Sequence, residues 1–69
     1  MDMNPQVLRG MLRENLADTE KQIQQVVRLA SNMRTEPSLI KDERGNFLIV
    51  PLLLAKSQTL LALVMLRGE

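Results

Sequence analysis

Phe47-Leu48-Ile49-Val50-Pro51-Leu52-Leu53-Leu54-Ala55-Lys56-Ser57-Gln58-Thr59-Leu60-Leu61-Ala62-Leu63-Val64-Met65-Leu66 is the stretch on which the fold turns. Apart from the island Lys56 to Thr59 it is almost wholly apolar. A chain of 69 residues buries only about 60% of the surface its unfolded form exposes, so its core is marginal. Small domains make up the deficit with disulfides, metals or further copies. Cys and His are both absent, which leaves association. The second half of the chain therefore calls for a partner, in the first instance another copy of itself.

The stretch reads as a helix over about 51–67. Pro51 suits a first turn, Arg67 suits the negative end of the helix dipole, and Gly68 is placed to end it. Its polar stripe is narrow: Lys56, Thr59 and Arg67 share a face, with Leu63 among them. A helix apolar nearly all round is buried on several sides or lies in a membrane. Upstream, Asn4 followed by Pro5 is a helix start, a cap and a first-position proline. From there to about 33 good helix formers dominate. Leu12, Leu16, Thr19, Ile23, Val26, Ala30 and Met33 alternate steps of four and three, a coiled-coil-like seam that Leu8 joins and Thr19 interrupts. Glu14, Lys21 and Arg28 take the opposite face.

Between the helices lies a long connector, 34–50. Pro37 biases Glu36 toward extended backbone and stops the first helix. Ser38–Lys41 and Phe47–Val50 would form a short β-hairpin around Asp42-Glu43-Arg44-Gly45-Asn46, which is turn chemistry. The competing reading is an irregular loop, with the second helix beginning near Asn46. The expected architecture is thus a single all-α domain over 1–69, a helical hairpin dimerising into a four-helix bundle.

Helix lengths support the bundle. About 29 residues span roughly 43 Å and about 17 span roughly 25 Å. On that arithmetic the second helix cannot reach the start of the first, and Val7, Leu8, Met11 and Leu12 overhang. A two-fold dimer of hairpins closes the gap. Its expected interface is Leu8, Met11, Leu12, Leu53, Leu60, Leu61, Val64 and Met65. A single membrane span is the alternative. Twenty helical residues rise about 30 Å, but Lys56 at the centre costs roughly 2.5–3.5 kcal/mol, which cancels most of what the leucines contribute. A membrane location is therefore disfavoured.

Without Cys or His, most triads, thiol nucleophiles, zinc sites and neutral-pH proton shuttles are closed. Ser31, Ser38 and Ser57 have no obvious base, so no catalytic residue, metal or cofactor is expected. The net charge is +1 with both signs interspersed, and Phe47 is the lone aromatic. Neither a basic stripe nor a stacking platform is formed, so direct nucleic-acid binding is not expected. Arg9, Arg13, Lys21 and Arg28 read as a solvated face. The opening Met1-Asp2-Met3-Asn4-Pro5 has no basic segment leading into an apolar run, so no secretory signal is expected and the cytoplasm is the expected compartment. The connector offers Leu39, Ile40, Phe47 and Leu48 as a recognition edge for another protein.

Two resemblances bear on function. Ser57-Gln58-Thr59-Leu60-Leu61 looks like the Ser-Gln-x-Leu-Asp signature of the sporulation-regulating phosphatases, which are also helical hairpins. Leu61 stands where that family has its active Asp, so the activity is not implied. In size and in its helix–connector–helix plan, the whole chain resembles the very short phage-encoded anti-host proteins, among them the anti-quorum-sensing group of temperate Pseudomonas phages. That resemblance implies a cytoplasmic homodimer that binds a bacterial transcriptional regulator and blocks its DNA binding, with a pilus-assembly ATPase as a further target. It carries over no functional residue. The expected function is a dimeric protein–protein interaction module, an inhibitor or adaptor. A structural or assembly subunit and a small single-span membrane protein are the alternatives.

Overall fold

In the computed structural model, which describes residues 4–67, the first helix α1 (Pro5–Asn32) begins where its sequence signal stands. Asn4 has extended backbone, and its side chain accepts from the Gln6 N–H at 2.8 Å, satisfying one of the free donors of the first turn. The helix ends in a Schellman motif. Thr35 N–H donates to the Ala30 carbonyl at 2.9 Å and Arg34 N–H to that of Ser31 at 3.1 Å. Arg34 takes the left-handed position (φ 55°) usually given to glycine.

The connector is not a β-hairpin. Pro37–Leu39 forms a 3-10 turn in place of the expected strand, and the sole ladder-like contact there is one antiparallel bridge, Lys41 to Phe47. Asp42 organises the turn: its Oδ1 accepts from the Arg44 and Asn46 N–H groups, both at 2.9 Å, and Gly45 supplies the positive φ of 85°. The expected strand Phe47–Val50 is lost because α2 (Ile49–Arg67) begins inside it. Pro51 still lies in the first turn, where a missing N–H breaks no helical bond. Burial of Ile49 against the first helix outweighs its strand propensity. Gly68, expected to end this helix, lies outside the described residues.

Val26, Ala30, Ile40 and Ile49 form the core, with Ile23, Leu48 and Leu52 packed around it. The predicted seam of α1 faces α2 through Leu12, Leu16, Thr19, Ile23, Val26 and Ala30, all buried or half-buried. Met33, counted in that seam, is exposed, because the chain has already turned away. The overhang estimated from helix lengths is met in part: Val7 and Met11 stay exposed, whereas Leu8 and Leu12 do not. The connector covers the last turns of α1 through Ile40, which carries α2 along toward Arg9. Arg9 Nη2 donates to the Leu66 carbonyl at 3.5 Å, and Leu8 and Leu12 are half-buried.

The hairpin is a rod of 46 × 20 × 18 Å. Its radius of gyration is 15.0 Å, against about 11 Å for a compact chain of this length.

Candidate functional site

α2 turns part of its polar stripe inward, while Ser57, Gln58 and Arg67 are exposed. Thr59 is 8% exposed and Lys56 is half-buried, together with Ile49, Leu52, Ala55, Ala62, Leu63 and Leu66. The Thr59 hydroxyl lies 2.9 Å from the Ala55 carbonyl and 3.2 Å from Asn15 Oδ1. On the facing helix Thr19 is buried too, its hydroxyl donating to the Asn15 carbonyl at 2.9 Å. The interruption at Thr19 is thus matched across the interface by Thr59, and both hydroxyls are satisfied by carbonyls one turn back. Ala55 and Ala62 are small, half-buried residues on the inner side of α2.

The opposite face of α2 is left to solvent, and it is the more apolar one. Val50, Leu53, Leu54, Leu60, Leu61, Val64 and Met65 are 42–66% exposed. Ser57 sits in their midst and no charged side chain interrupts them. The whole hairpin exposes 5800 Å². A compact monomer of 7.8 kDa exposes about 4400 Å². The excess, on the order of 1400 Å², is larger than the ~800 Å² that each partner contributes to a standard interface.

Of the residues expected at a dimer interface, Leu53, Leu60, Leu61, Val64 and Met65 are brought together on this face. Leu8 and Leu12 are instead part of the packing between the two helices, and Met11 lies beside Val7 on exposed α1 surface, apart from it. Val50, Leu54 and Ser57 belong to the face and were missed, although their steps of four and three with Leu61 and Val64 repeat the seam pattern of α1.

The expected recognition edge is divided. Ile40 (5% exposed) and Leu48 belong to the core cluster and its surround, while Leu39 and Phe47 stay exposed. Lys41 Nζ stands 4.9 Å from the centroid of the Phe47 ring, a cation–π contact that fixes its outer side. Phe47 borders an open groove of about 900 Å³ whose walls include Gln22, Gln25, Leu29, Val50 and Pro51. On the α1 side of this groove the sequence marked Val26 as a seam residue, and Gln22 and Gln25 were not singled out.

At the far end Arg9, Arg13 and Arg67 surround a smaller recess against Leu60, Leu63 and Val64. Among the described residues no group of acidic, His or Cys side chains has the arrangement of a metal site. No protein-family model, curated protein or solved structure matches the chain.

Proposed function

We propose that this chain is a small dimeric protein–protein interaction module of the cytoplasm, an inhibitor or adaptor that binds a bacterial regulatory protein such as a transcriptional activator and blocks its activity. One observation carries the reading: α2 buries Thr59 within the hairpin and leaves its leucine-rich side outside. Water is the poorest neighbour for that side, and each large apolar side chain fully removed from water contributes about 1.5–3 kcal/mol. A second copy supplies the cover.

Dimerisation through α2 leaves the connector end available for a target. Leu39, Phe47 and the groove beside Gln25 and Leu29 offer an apolar slot edged by amides, suited to an aliphatic or aromatic side chain of another protein. Sedimentation of the wild type tests the first half: a discrete dimer is expected, and a species of 7.8 kDa at micromolar concentration would end the reading. A pull-down from bacterial lysate tests the second. Recovery of a regulator that Phe47→Ala and Leu39→Ala abolish, followed by loss of that regulator's DNA binding, is the expected result.

A membrane-associated protein is the second reading, and one observation favours it. α2 is long and apolar enough to cross a bilayer, with mean hydropathy 1.9 over its most apolar 18 residues. Lys56 and Thr59 near its centre oppose a lone span. Solubility only in detergent would select this reading over the dimer.

A further inference from the structure

Building on the dimer reading above, we propose that two copies associate through α2 packed antiparallel on α2, about a two-fold axis passing at Ser57. Seven outer-face positions, 50, 53, 54, 57, 60, 61 and 64, read Val-Leu-Leu-Ser-Leu-Leu-Val, with exposed Met65 lying beyond them at one end. The order is the same in both directions, and so are the intervals between positions. A two-fold interface is formed by one patch meeting itself in reverse. With the axis at Ser57, Val50 meets Val64 of the partner subunit, Leu53 meets Leu61 of the partner subunit, and Leu54 meets Leu60 of the partner subunit.

Neighbouring registers lose this match. Moving the axis one residue, to Gln58, sets Leu60 on the partner's Lys56 and Leu54 on the partner's Ala62. Moving it about one turn along α2 from Ser57, between Leu60 and Leu61, brings Leu54 onto the partner's Arg67. Ser57 is small enough for close approach at the crossing point. Its hydroxyl can bond to a carbonyl of its own preceding turn, so burial leaves no donor unpaired.

A parallel pair would also match residue to residue, but it places like helix ends side by side. It also gathers Arg9, Arg13 and Arg67 of both copies at one end. In the antiparallel pair each arginine-lined recess, which includes Val64, adjoins the partner's groove end, where Asp42 and Val50 lie together.

The chain has no cysteine, so single cysteines report pairing cleanly. Ser57→Cys, Val50→Cys and Val64→Cys are each oxidised without denaturant, with Arg28→Cys on the exposed side of α1 as background. The antiparallel pair predicts that Ser57→Cys cross-links at least tenfold faster than Arg28→Cys. Val50→Cys alone should not exceed background, because the two sites lie about 20 Å apart along the axis and a disulfide bridges less than about 7 Å between Cα atoms. Val50→Cys and Val64→Cys refolded together should cross-link with each other. Rapid linkage of Val50→Cys alone means a parallel pair. A Ser57→Cys rate at background means another face is used. Either result overturns the pairing while a dimeric mass keeps the dimer reading intact, and a monomeric wild-type mass removes both.

Discussion

α1 and α2 divide the work of folding unequally. α1 has one apolar seam, used against α2 or the connector from Leu12 to Ala30, and Glu14, Lys21 and Arg28 lie exposed on its other side. α2 has no such division. If intramolecular burial alone set its rotation, half a turn would press Leu54 and Leu61 onto α1 and free Lys56 and Thr59 to solvent. That rotation is not taken: α1 offers Asn15, whose Oδ1 lies 3.2 Å from the Thr59 hydroxyl, and buried Thr19 one turn on. Where a helix turns its polar residues inward, the side it leaves outside is a better guide to its partner than the side it buries.

The strongest way to break this comparison is a charge on each helix's outer side. Leu61→Asp puts a carboxylate at the middle of the exposed apolar face. If that face is covered, the unpaired charge costs several kcal/mol, on the order of 3 or more. The dimer should weaken at least a hundredfold by sedimentation, and helicity by circular dichroism should fall with it. Arg28→Asp on α1 should stay within about 0.5 kcal/mol of wild type. Equal tolerance of the two changes would show that the α2 face meets only water.

Ala30→Leu probes the inner contact. Ala30 is 1% exposed and packed with Val26, Ile40 and Ile49, so overpacking there should destabilise by about 1–3 kcal/mol. Thermal melts check this, and an unchanged midpoint would mean that the hairpin opens easily. Unlike Leu61→Asp, it should not alter the cross-linking pattern of Ser57→Cys in molecules that remain folded.

Much of α1 is legible in sequence because local signals agree: Asn4 with Pro5 at its start, a steady seam, and Pro37 beyond its end. The turn is legible through Asp42 and Gly45. α2 is legible as an apolar helix, but its orientation is not, since periodicity cannot choose between two apolar sides. That choice is made by side chains distant in sequence, Asn15 and Thr19 against Thr59. The start of α2 was misplaced for a related reason. Phe47–Val50 has strand composition, and only the tertiary burial of Ile49 draws its last two residues into the helix. The same long-range packing separates Ile40 and Leu48 from Leu39 and Phe47, four residues that look alike as candidates for a binding edge.

Thr59→Val sharpens the claim about the inward polar stripe with a smaller effect. It removes a hydroxyl whose partners are Ala55 and Asn15, and the net loss should be about 1 kcal/mol. A gain in stability would mean that the stripe is a compromise forced by the outer face rather than a match to α1.

The smallest effect is expected at Arg34, where the end of α1 stores strain. A residue with a Cβ at positive φ costs roughly 1–2 kcal/mol in the folded state, whereas glycine adopts that backbone freely but gives back roughly 0.5–1 kcal/mol through its larger unfolded freedom. Arg34→Gly should therefore stabilise by about 0.5–1 kcal/mol, raising the melting midpoint by about 2–8 °C at equal protein concentration. Because Arg34 belongs to the end of α1 and not to the outer face of α2, the dissociation constant of the dimer should not change. A higher midpoint with unchanged association locates the strain in the finished helix. A lower midpoint would mean that the Arg34 side chain holds the connector in place and that the positive φ is its consequence.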